Sequence, residues 1–387
     1  MVEKLSAPEL INLIRKVFHP CAEDRGLAFI VDVPDDRRAD SADWAQRRRL
    51  AAEWFSHLSE RAGELPVTSL SLFWYPHVGG NNADLPATMR RHGGTVPDHA
   101  RDLGGLPGLP TEEIFRDHGL IIAPTELSAT APLKVAARAA GTGPNGFRAA
   151  TMPGFLPSMV PALRLDYGEI NRRVSLLKKL LDTAESARFS FRSGGRVHML
   201  ELDLRHRLGH ASGGLLRGNG IAGNLPSGEA YIVPYEGERE GDPSRSAGIL
   251  PVEIDGEVVI YEIEGNRAVA VLSAGPVSEA EAARLVAEPA YANLAELGLG
   301  VLGDFGLDPT GSILLDEKLG PHIAFGRSDH FGGTVGPGDF TSPEAVIHLD
   351  RVFIPAMQPQ VEVLSVVLAG DGRERPIIEN GRFLGLA

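Results

Sequence analysis

Apolar positions near the start of the chain recur with helical spacing. Across 8–18, Leu10, Ile11, Leu13, Ile14, Val17 and Phe18 fall on one face of a helix. A compact apolar run at 27–33 then predicts a buried strand, 45–61 an amphipathic helix, 68–75 a second strand and 119–123 a third. Strands separated by helices predict a parallel α/β sheet. The intervening stretch 77–110, dense in glycine and proline, reads as a long surface excursion. A helical segment at 166–187 follows, with Arg172, Arg173, Lys178 and Lys179 forming a solvated basic side.

Past that helix the pattern changes. Short apolar runs at 198–204, 230–233, 258–261 and 269–272 predict strands. One helix interrupts them at 278–287, with Ser278 as N-cap and Glu281 at capping-box spacing. The expected organisation is an α/β amino-terminal domain over 1–185 and a β-rich α+β metal-binding domain over 186–387.

Composition narrows the class. With 43% hydrophobic and 23% charged residues the chain is globular, and its 45 glycines and 28 prolines suit short strands joined by many turns. A net charge of −13 argues against generic binding to nucleic acid or an anionic membrane. The absence of a signal-peptide core or membrane-length apolar run predicts a cytoplasmic protein. Acidic residues concentrate over 229–308, where 16 Asp/Glu face only Arg239, Arg245, Arg267 and Arg284. Most of these acids are expected on solvated hairpin edges, with a minority free to hold a cation.

Several familiar motifs fail on context. Gly218 to Gly223 matches G-x-G-x-x-G, but Asn224-Leu225-Pro226-Ser227-Gly228 follows where a dinucleotide site needs a helix. Cys21, the sole cysteine, excludes an internal disulfide and a cysteine-rich zinc site, and no third member of a nucleophilic triad accompanies it and His19. No Gly-x-Ser-x-Gly elbow occurs.

The informative region is 317–350, which carries Glu317, His322, Asp329, His330, Asp339, Glu344, His348 and Asp350 among glycines. His348 and Asp350 lie two apart in an apolar stretch, so a strand there points imidazole and carboxylate the same way. His322 leads a second strand-like run. An ordinary hydrogen-bonded role suffices for any one of these residues. Together they offer the nitrogen and oxygen donors of a borderline divalent ion. Glu229 and Glu296 are two further acids set in otherwise apolar surroundings.

Four ordered segments carry a family resemblance. Asn224-Leu225-Pro226-Ser227-Gly228-Glu229 is similar to an N-x-P-x-x-E motif, and Ala295-Glu296-Leu297-Gly298-Leu299 to a second glutamate segment. Asp316-Glu317-Lys318-Leu319-Gly320-Pro321-His322-Ile323-Ala324-Phe325-Gly326 is similar to D-E-N-x-x-x-H-I-A-L-G, and His348-Leu349-Asp350 to H-x-D. On these the chain resembles the thermophilic-type metallo-aminopeptidases, the aminopeptidase T and aminopeptidase S family, most clearly over 200–355. The resemblance implies a homodimeric aminopeptidase with two divalent ions, Zn, Co or Mn, acting on a small molecule or short peptide with a free amine. It implies Glu229, Glu296, His322, His348 and Asp350 as ligands, and Glu317 as ligand or general base. The family's catalytic tyrosine falls at Asp329, so either His330 supplies the missing donor or the chemistry differs. The alternative is set by 2,5-dihydroxypyridine dioxygenase, which resembles the same fold family. It implies one Fe(II) on His322, His348 and Asp350, and ring cleavage in place of hydrolysis.

Overall fold

The computed structural model describes residues 3–386. It is a mixed α/β protein with three sheets, and its chain divides into two compact units. The first unit holds the residues up to Glu169 together with Gly214–Ser227 and Thr310–Leu315. The second holds Ile170–Gly213, Gly228–Pro309 and the residues from Asp316 on. Where the sequence predicts one boundary at 185/186, the chain first changes unit after Glu169 and returns twice to the first.

The first unit is built on seven strands in the order Ile221–Asn224, Arg148–Thr151, Leu120–Ala123, Gly26–Val33, Ser69–Pro76, Thr88–Arg91 and Gly108–Pro110. The first five pair in parallel. Every residue of Gly26–Val33 is buried, which explains why this strand reads as an apolar run broken only by Asp32. Helix Ala7–Phe18 buries the six residues that its spacing puts on one face. The 77–110 stretch is more than a surface excursion. Thr88–Arg91 and Gly108–Pro110 extend the sheet antiparallel, anchored by the buried Met89. The second half of the Gly218–Gly223 stretch is itself strand, Ile221–Asn224, so no helix N-terminus is presented there.

The second unit holds two antiparallel sheets. Eight strands run in the order Arg267–Val271, Glu257–Glu264, Ala247–Ile254, Arg196–Asp203, Ser186–Ser193, Glu362–Gly370, Arg373–Glu379 and Arg382–Phe383. Five run in the order His348–Val352, Pro321–Gly326, Leu294–Gly300, Glu229–Ile232 and His210–Ser212. The helix predicted over 166–187 ends at Leu181. From Ser186 the alternation of buried Ala187, Phe189 and Phe191 imposes a strand instead.

The helix predicted to begin at Ser278 spans Pro276–Ala287, so Ser278 lies inside it. Its N-terminal amides are served from outside: Val277 and Ser278 donate to the Glu257 carboxylate at 3.2 and 2.8 Å. Glu281 accepts instead from the Tyr261 and Tyr291 hydroxyls at 2.6 and 2.7 Å. No helix among the described residues is long and apolar enough to cross a membrane.

Candidate metal centre

The site is one face of the five-stranded sheet. Opposed residues in an antiparallel ladder share a face, and along each strand the side chains alternate. Glu229 lies opposite Gly300 and Tyr231 opposite Gly298. Gly298 in turn faces His322, and Glu296 faces Ala324. Ala324 faces Asp350, and Gly326 faces His348. Glu229, Tyr231, Glu296, His322, His348 and Asp350 therefore project from one side, separated by glycine and alanine. Glu296 alternates in regular register with Gly298, and the strand pairing shifts only on its far side, between Leu294 and Glu296.

The small residues are required by space. A Cβ on Gly298 would stand 1.8 Å from His322 Nε2, and one on Gly300 would stand 2.3 Å from the Lys318 backbone. Glycine lets the imidazole lie flat across the strand, so that its Nε2 reaches the neighbouring carboxylates.

His322 Nε2 is 3.4 Å from Glu296 Oε1, 3.7 Å from Glu229 Oε2 and 4.0 Å from Asp350 Oδ1. His348 Nε2 is 3.4 Å from Glu296 Oε2 and 3.5 Å from Asp350 Oδ1. Both rings are oriented from behind. His322 Nδ1 lies 3.2 Å from the Gly320 carbonyl and His348 Nδ1 2.8 Å from the Arg327 carbonyl, each placed to donate to it. This leaves both Nε2 atoms turned toward the carboxylates, the arrangement of ligating histidines. The donors form two overlapping sets, Glu229–Glu296–His322 and Glu296–His348–Asp350, with Glu296 common to both.

The residues fit a divalent cation. Glu229 Oε2 is buried without a hydrogen-bond partner among the described residues, an arrangement that costs free energy unless a charge meets it. Imidazole nitrogen and carboxylate oxygen are ligands of borderline divalent ions. The local field also favours positive charge. Burial alone would lower both histidines, but Glu296 and Asp350 outweigh it, raising His322 to about 9 and His348 well above its usual value. Burial pushes Glu296 up, yet its bonds to His322 and His348 hold it well below the usual carboxylate range.

The remaining expected residues lie around this face. Glu317 contacts the Lys318 ammonium, and burial together with Glu229 and Asp350 raises its carboxyl against the pull of that lysine. His330 stacks against Phe331 and lies 5.3 Å from the His348 ring, centre to centre. Burial, with His348 and Arg327 adding to it, lowers His330 to about 4, so it is neutral at pH 7. Asp329 instead accepts from Arg327 Nε at 2.6 Å.

Two residues escaped the sequence reading. Tyr231 follows Glu229 by two in the same strand, a period-two relation visible in the sequence. Burial and the charges of Glu296, Glu229 and Glu317 raise its phenol, which keeps it a donor. Its ring stacks on His210 at 5.0 Å. Lys318, completely buried, pairs with Glu229 Oε1 at 3.2 Å and with Glu317. Its signal was the departure from asparagine in the D-E-N segment.

No family model matches the chain, and no curated protein matches it in sequence. Among solved structures it is similar to 2,5-dihydroxypyridine dioxygenase from Pseudomonas putida KT2440. The TM-score is 0.62 at 14% identity, covering 98% of this chain and 98% of that one. It is also similar to wild-type AmpT from Thermus thermophilus, aminopeptidase T. There the TM-score is 0.53 at 15% identity, covering 97% of this chain and 99% of that one. Both resemblances seen in the sequence are thus present among its structural neighbours, and at these identities what is shared is the fold.

Proposed function

We propose that this chain is a metal-dependent hydrolase of amide bonds, acting on a small substrate or short peptide with a free amine. The observation that carries the reading is the convergence of Glu296, His322, His348 and Asp350 on one partly buried sheet face, with both imidazole Nε2 atoms turned inward. These residues would hold a divalent ion, which would supply polarisation of a carbonyl and a water acidic enough to attack at neutral pH. The chain's own groups do the rest. Glu317 accepts the proton of the attacking water and returns it to the departing amine. The Tyr231 hydroxyl donates to the oxygen that gains negative charge as the carbonyl is attacked. The acids around the site favour a cationic amine over an anionic substrate.

A second reading has one specific observation in its favour. His322, His348 and Asp350 make a two-histidine, one-carboxylate set, the ligand type of non-haem iron oxygenases. The likeness in fold to the dioxygenase is consistent with it.

The two are separated by metal analysis of protein purified without added salts, followed by assays of aminoacyl anilides and of oxygen uptake with 2,5-dihydroxypyridine. Hydrolysis restored by zinc, cobalt or manganese supports the first; oxygen uptake that requires Fe(II) replaces it with the second. His348→Ala and Asp350→Ala are expected to lose bound metal while keeping the wild-type circular dichroism spectrum. Full metal retention in both would remove these residues from the centre.

A further inference from the structure

Lys318 is a cation built into the centre. It follows Glu317 in the short turn Glu317–Leu319, and its side chain is 0% exposed. An ammonium is costly to bury and persists only where charged partners meet it. Here the partners are Glu229 Oε1, at 3.2 Å, and the Glu317 carboxylate. The turn is held in place: the Lys318 backbone packs so closely on Gly300 that no side chain fits between them. The side chain thus starts from a fixed point, and its buried ammonium meets Glu229 Oε1 and the Glu317 carboxylate. Among the described residues, no lysine pairs with Glu296, His322, His348 or Asp350, and Glu229 keeps only its Oε2, 3.7 Å from His322 Nε2, outside the pair.

We propose that the Lys318 ammonium takes the place of a second divalent ion, so that the centre binds one metal ion per chain, on Glu296, His322, His348 and Asp350. This replaces the pair of ions that the family resemblance implies. The inference rests on the metal-centre reading above, and the test separates the two.

Metal-stripped protein is titrated calorimetrically with Zn²⁺, and its zinc content is measured after desalting. The wild type is expected to hold one equivalent. Lys318→Ala, which removes the charge and opens space between Glu229 and Glu317, is expected to hold two, its fold being checked by circular dichroism. Two equivalents in the wild type, or one in a folded Lys318→Ala, would overturn the proposal. Should Lys318→Ala fail to fold, the wild-type count still decides. No retained zinc in the wild type would instead sink the metal centre itself.

Discussion

Tyr231 illustrates how a single residue can change the reading of the site. The position at which the sequence resemblance implies a catalytic phenol holds Asp329, and Asp329 is tied to Arg327. Tyr231, by contrast, shares the sheet face of Glu229 and His322 and feels the charges of three site carboxylates. A phenol donates one hydrogen bond to a developing oxyanion, and losing such a donor costs ~10²–10³-fold in turnover. Tyr231→Phe is therefore expected to lower kcat about 10²-fold, with KM and zinc content nearly unchanged, on whichever aminoacyl anilide the wild type cleaves. His330→Ala should have the smaller effect. The reverse order would give the donor role to His330, one of the two alternatives that Asp329 leaves open in the sequence.

At the scale of elements, the five-stranded sheet works because its donors alternate with residues too small to block them. Gly298 is the sharpest case, since its missing side chain makes room for His322. Gly298→Ala should displace the imidazole and weaken zinc binding at least tenfold. It should also destabilise the fold by about 1–3 kcal/mol, the usual cost of overpacking. Zinc titration and urea unfolding measure the two effects, and unchanged zinc affinity would show that His322 is not a ligand. The acid-rich 229–308 region shows a different use of elements. Several of its acids are tertiary acceptors: Glu257 serves the amides that start a helix, Glu281 binds two buried tyrosines, and Glu288 accepts from Thr341. Sequence position alone could not distinguish these from solvated charges, because the partners come from distant strands and loops.

For the whole molecule, internal ion pairs link stability to pH. Asp203 has a buried carboxylate that accepts from Arg205 Nε and Nη2 at 2.9 and 2.7 Å. Burial pushes its pKa up, but Arg205 and two backbone amides outweigh burial and hold it below the usual value. A group depressed in this way stabilises the folded state above its unfolded pKa of ~3.9 and loses that contribution as pH falls through the folded value. Asp203→Asn should therefore be less stable than the wild type at pH 7, and the difference should shrink below about pH 4. Urea midpoints at pH 7, 5 and 3 provide the check. A difference that widens on acidification would mean that Asp203 is not held as an ion pair.

The helical face of Ala7–Phe18, the central apolar strands of the first unit and the shift to strand-rich pattern in the second were all legible in the sequence. Each depends on periodicity or burial within a single segment. The residues of the centre were legible as a set because H-x-D spacing and the similar glutamate segments are local. Only the tertiary structure decided that Glu229, Glu296, His322, His348 and Asp350 share one face, since that follows from the register of four strands separated by long intervals. It also decided what lies between them. A lysine after a glutamate reads as a surface ion pair until the fold removes its solvent. Here it becomes a buried charge between two carboxylates, because Gly300 lets the backbone of one segment close upon another.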